Sequence, residues 1–190
     1  MSTATPERLM TSDDLFAMRP SQNVDRWLFR GQLRESKVTK RNPSHSAAVM
    51  TIGKLLGNWL DKQRSPHGRL YGGETCFRIR KDPETNVGID VAVSTPTQAA
   101  RTSRTASYVD GAPILAVEVL SPYDKLSDIA ETIEEYLDCG VKVVWIVDPR
   151  LETVTIHRPS ADPVMVNRSQ ELVGGKDLPG FRCQVSDIFE

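Results

Sequence analysis

Between Ile114 and Val147 the chain alternates strand, helix and strand with almost no slack, and this alternation restricts the fold more than any other feature. Ile114 to Leu120 is a near-continuous apolar run, as expected of a strand covered on both faces. Asp124 to Cys139 has helical periodicity and is followed by Gly140, the residue that most readily turns left-handed past a helix end. Val143-Val-Trp-Ile-Val147 is a second apolar strand. Two such strands joined by a helix pair in parallel through a crossover, which predicts an α/β fold.

The remaining elements build a mixed sheet around that unit. Residues 1–24 form a polar lead-in with one short helix, Ser12 to Met18, capped by Thr11 or Ser12 with acids in its first turn. Residues 25–190 form the domain proper, opening with a hairpin, Asp25 to Val38, broken at Arg30-Gly31. A long helix starts at Asn42-Pro43-Ser44. Val49, Ile52, Leu56, Trp59 and Leu60 recur at helical spacing to about Gln63, and Pro66 and Gly68 end it. Strands are predicted over Arg69–Tyr71, Thr75–Ile79, Val87–Ser94, Val154–His157 and Val164–Val166. Thr95 to Gly111 is a polar loop with one helical turn.

At 190 residues the chain is long enough for one real core. A net charge of −1 neither announces nor excludes a nucleic-acid partner. No apolar stretch approaches the ~20 residues of a membrane span, and Met1 to Pro6 lacks the layout of a secretion signal. Cys76, Cys139 and Cys183 are widely spaced without metal-type pairing, which predicts free thiols and a cytoplasmic protein.

Two buried strands each carry one acid: Asp90 within Val87-Gly-Ile-Asp-Val-Ala-Val93, and Glu118 within Leu115-Ala-Val-Glu-Val119. An unpaired buried carboxylate is costly. A shared divalent cation would make both tolerable, and a pair of carboxylates plus waters suits Mg²⁺. Pairing with an Arg or Lys, or a place at the sheet edge, would serve as well.

Ile89-Asp-Val-Ala-Val93, Leu115-Ala-Val-Glu-Val-Leu-Ser-Pro122, Glu135-Tyr-Leu-Asp-Cys-Gly140, Val144-Trp-Ile-Val-Asp-Pro149 and Thr153-Val-Thr-Ile-His157 occur in an order that resembles the Uma-two family. That family lies within the PD-(D/E)XK nuclease superfamily, and the likeness runs from about Met10 to the C-terminus. It implies a restriction-endonuclease-like mixed β-sheet core flanked by helices, with an N-terminal helix and hairpin. It further implies a homodimer that hydrolyses DNA phosphodiester bonds, with Asp90 and Glu118 holding Mg²⁺, or Mn²⁺ in its place.

The chain departs from the family pattern at several positions. Ile89 replaces the usual proline, and Leu120 stands where a lysine often follows the Glu. On the following helix the expected Asp, Lys and Tyr read Asp128, Thr132 and Tyr136. Gln32 occupies the hairpin turn where an acid is common. Lys125 lies two helical turns before Thr132, about 10 Å nearer the helix start, and is the candidate replacement for the missing catalytic lysine. Loss of the lysine and the acid favours a second reading: an impaired relative that binds nucleic acid or a protein without cutting. A third is a structural homodimer component with salt-bridged acids.

Other residues are read from their context. His45, at the long helix's start, is expected to bond local backbone, with proton relay or phosphate contact as the alternative. His67 and His157 lack companions at ligand spacing. Arg26, Arg30, Arg34, Lys37, Lys40 and Arg41, with Arg101 and Arg104, form either a phosphate-contacting set or a solvated charged surface. Tyr136 and Trp145 are expected to pack the helix on the sheet, Glu134 and Glu135 to face solvent, and Glu74 to lie near a strand end.

Overall fold

The computed structural model describes residues 8–20, 23–37, 42–65 and 67–190. Its elements in chain order are α1 (Ser12–Ala17), β1 (Val24–Phe29), β2 (Gln32–Lys37), α2 (Pro43–Leu60), β3 (Leu70–Lys81) and β4 (Glu84–Val93). There follow α3 (Pro96–Arg101), β5 (Val109–Asp110), β6 (Leu115–Val119), α4 (Leu126–Asp138) and β7 (Val143–Asp148). The chain closes with β8 (Thr153–His157), β9 (Val164–Asn167), β10 (Glu171–Val173), β11 (Arg182–Gln184) and α5 (Ser186–Phe189).

The crossover forms as expected: β6 and β7 pair in parallel, Leu115 with Val143 through Val119 with Val147, and α4 connects them. The main sheet runs β2-β1-β4-β6-β7-β8-β9, with β3 on the remaining edge of β4 and β5 beside β3. Alternation along the central strands divides the core into two layers. Val91, Val93, Leu115, Val117, Val143 and Trp145 meet α2 and α5 on one face. Ala92, Ala116, Val144 and Ile146 meet Tyr136 and the half-buried Ile129, Ile133 and Leu137 of α4 on the other. Trp145 thus packs against Phe181 on the face away from α4, which corrects the expectation that it seats that helix.

Local chemistry accounts for the helix ends. Thr11 caps α1 in a reciprocal box with Asp14, and the Asn42 side chain accepts the His45 amide at the start of α2. Helix α4 begins at Leu126, later than the periodicity suggests, because Asp124 is engaged by the amide and hydroxyl of Ser121 in a preceding turn. Ala48, Ile52, Leu56 and Leu60, four apart, bury one stripe of α2.

Two features of β4 shape the surface. Along one edge β3 pairs with it from Glu84 to Val93. The other edge is shared: β1 meets it only at Leu28 with Asn86, and β6 only from Val91 to Val93. Between these contacts the strands fork. On the β3 side, Gly72 pairs with Val91 but Thr75 with Ile89, so β3 carries one extra residue opposite Asp90. The Gly72-Gly73 pair that suggested a strand break is this bulge, and Gly73 and Glu74 take positive φ to make it, 72° and 58°.

Candidate functional site

The fork opens into a groove of about 860 Å³. Its floor is β4 from Val87 to Asp90, one wall is α1 with the β1–β2 hairpin, and the other is the end of β6 with the start of α4. Both sequence-nominated acids line it. The antiparallel β4–β6 register ends at Val91 with Val117, and one further step sets Asp90 opposite Glu118. Opposed residues of an antiparallel pair share a face. Glu118 reaches Tyr136 of α4, whereas Asp90 bonds the Val119 amide and approaches His45 of α2.

One oxygen of each carboxylate accepts a hydrogen bond. Asp90, 6% exposed, accepts the Val119 amide on Oδ2 at 2.9 Å, taking the place of a ladder partner. Its Oδ1 accepts no hydrogen bond from the described residues. Glu118 accepts the Tyr136 hydroxyl on Oε1 at 2.7 Å. Burial, reinforced by the charge of Glu118, raises the Tyr136 hydroxyl well above its ordinary range, so it remains a donor at any working pH. Tyr136 therefore packs α4 as expected and also orients an acid.

His45 departs from expectation. Its ring does not bond local backbone: it is 3% exposed, neither nitrogen has a hydrogen-bond partner, and Nε2 lies 3.3 Å from Asp90 Oδ2. The first turn of α2 thus reaches beneath the motif Asp. Lys125 is the N-cap position of α4, exposed on the groove wall and in no ion pair with a described residue. Thr132 lines the same wall.

The hairpin turn lies at the other end of β4 from Asp90. The turn at Arg30-Gly31 docks on the beginning of β4, with the Arg30 amide on Thr85 and the Gly31 amide on the Glu84 carbonyl. Thr85 is five residues from Asp90, about 16 Å along a strand. Gln32 is exposed there and does not line the groove. A further acid that lines the groove is Glu74, at the bulge opposite Asp90. The adjacent glycines were its only signal.

Three of the basic set are committed to structure. Arg26 pairs with Glu35, Arg34 with both oxygens of Glu131, and Arg30 with Glu135. Lys40 and Arg41 lie outside the described residues. Glu135, expected in solvent, is fully buried: Arg30, Arg80 and the Thr85 hydroxyl all donate to it. Those bonds overcome desolvation and lower its carboxyl to about 2.

A divalent cation fits this donor set. Among the described residues no three His, Cys, Asp or Glu side chains gather at metal-holding spacing. The chain instead offers two carboxylates at the foot of an open groove, the partial shell that Mg²⁺ meets when it keeps several waters. Thiol chemistry is not offered: burial pushes the Cys76 thiol, also on the groove, up to about 11.

Among the described residues no helix is long and apolar enough to cross a membrane. No curated protein matches this sequence. A crystal structure of a putative nuclease belonging to DUF820, from Anabaena variabilis, superposes with a TM-score of 0.76 at 16% identity, covering 95% of this chain and 97% of that one. That likeness extends over the whole mixed sheet and its helices. Residues 13–186 match the Uma2 family, described as putative restriction endonucleases, and the chain belongs to that family.

Proposed function

We propose that the protein is a Mg²⁺-dependent nuclease that hydrolyses DNA phosphodiester bonds, with Asp90 and Glu118 as the cation's protein ligands. The observation that supports this reading is the lining of one groove by the two acids, each with a carboxylate oxygen accepting a hydrogen bond. A divalent cation bound there would supply charge to the scissile phosphate and acidify water. The chain's own residues do the positioning. Val119 and Tyr136 hold the two carboxylates against rotation, and the groove walls aim the backbone of a substrate at them. Lys125 is the nearest replacement for the absent helix lysine, reaching from the α4 N-cap to a phosphate oxygen.

A second reading, binding without cutting, is favoured by Thr132 on the groove wall where the lysine would stand. Purified protein incubated with supercoiled and single-stranded DNA in Mg²⁺ or Mn²⁺ separates the two. Cleavage that disappears in Glu118→Ala supports the nuclease. A parent that binds without cutting, alongside a Thr132→Lys variant that cuts, supports the impaired form. Cleavage that persists in both Asp90→Asn and Glu118→Ala refutes the assignment of the acids.

A further inference from the structure

A protein that grips duplex DNA neutralises many phosphates, and its groove shows it as unpaired Lys and Arg. Among the described residues this groove shows few. Arg26 and Arg34 are tied to Glu35 and Glu131. Among the described lining residues only Arg19, Lys37 and Lys125 are cations in no ion pair, and Asp25, Asp124 and Asp128 share the walls with them. What the rims offer is ring and apolar surface. Tyr123, 85% exposed, lines the groove with the residues that follow the Glu118 strand. On the opposite rim Phe16, 45% exposed, stacks on Tyr108 with centroids 5.8 Å apart and planes at 13°.

Exposed aromatic platforms along a groove are how proteins hold unpaired nucleotides, because every base has a face to stack whereas a duplex hides its faces. The groove's 860 Å³ lies in the range of sites that enclose a small molecule, suited to a short unpaired run. We propose that the substrate is single-stranded DNA, its bases stacking on Tyr123 and Phe16 while its backbone crosses Asp90 and Glu118. This rests on the nuclease reading and specifies its substrate. Cutting one strand needs one site, so the proposal does not require a dimer.

The test uses the full chain carrying Glu118→Ala, with a labelled single strand of about 15 nucleotides, the upper end of usual site sizes, and the same sequence as a duplex. Fluorescence anisotropy in Mg²⁺ is expected to show the single strand bound at least about tenfold tighter. Adding Tyr123→Ala or Phe16→Ala weakens single-strand binding about tenfold, the loss of one base stack, at unchanged melting temperature. Three cations predict a slope of log K on log salt near −2, at about 0.7 per phosphate contact. Equal or tighter duplex binding, a slope steeper than about −5, or indifference to both ring substitutions overturns the proposal. If the parent then cuts duplex in a Glu118-dependent manner, only this inference falls. If neither DNA binds and the parent cuts nothing, the nuclease reading falls with it.

Discussion

Replacing Glu135 tests whether the buried ion cluster governs stability as its geometry requires. The carboxylate is wholly buried and accepts Arg30 Nε at 2.8 Å, Arg80 Nε at 2.8 Å and the Thr85 hydroxyl at 2.7 Å. Removing one member of such a cluster leaves the others uncompensated, at a cost of about 3–5 kcal/mol. An independent figure comes from protonation. A fall from 4.5 to about 2 corresponds to about 3 kcal/mol. Solvent around the half-exposed Arg30 reduces this to about 2 kcal/mol. Because the folded-state value is depressed, this contribution is complete above about pH 4.5 and is lost as pH falls toward 2. Urea unfolding of the parent and Glu135→Gln, followed by circular dichroism from pH 7 to pH 2.5, reads both quantities. The difference should be about 2–4 kcal/mol at pH 7 and shrink steadily below pH 4.5, other titrations cancelling between the two proteins. A difference under about 0.5 kcal/mol at pH 7, or one that does not narrow on acidification, refutes the argument.

Three further outcomes follow from particular contacts. Tyr136→Phe removes the donor to Glu118 and should lower Mn²⁺ affinity about 10–100-fold by calorimetric titration while the fold persists; unchanged affinity would separate Glu118 from the cation. His45→Leu removes the imidazole whose Nε2 lies 3.3 Å from the buried Asp90 carboxylate and should lower Tm by a few degrees, at about 2–4 °C per kcal/mol; an unchanged or raised Tm in scanning fluorimetry would mean that contact contributes nothing. Gly68→Ala would set a Cβ 1.8 Å from the Ser94 carbonyl oxygen and should destabilise by about 1–3 kcal/mol in the same assay, whereas an unshifted Tm would show that the backbone yields there.

The parts of the molecule legible in its sequence are those written in local pattern. The apolar run around Glu118 and the helix after it specify a parallel crossover, and the single acid in each buried strand marks the floor of the groove. What was not legible depends on partners distant along the chain. Glu135 resembles any polar residue on the flank of an amphipathic helix, because its arginines stand 105 and 55 residues away. His45 matches a helix-capping context, and only the packing of α2 beneath β4 brings it to Asp90. The hairpin turn seemed adjacent to the acids because pattern alone does not say which end of β4 receives it; the Thr85 and Glu84 contacts decide that. Gly72-Gly73 is equally a break or a bulge until a neighbouring strand supplies the register.

The divided edge of β4 has a mechanical corollary. The hairpin is hinged to the sheet only near its turn, at Leu28 with Asn86 and through the Arg30 and Gly31 amides on Thr85 and Glu84, and latched to α4 by Arg34 with Glu131 and by Arg30 with Glu135. The outer latch is accessible to solvent ions, whose screening length contracts from ~30 Å at 0.01 M to ~3 Å at 1 M, while the buried inner latch is shielded. Rising ionic strength therefore loosens the jaw at its tip and leaves its pivot tight. Aperture becomes a property of the medium, whereas the depth at which the two acids lie is set by central strands that salt does not touch.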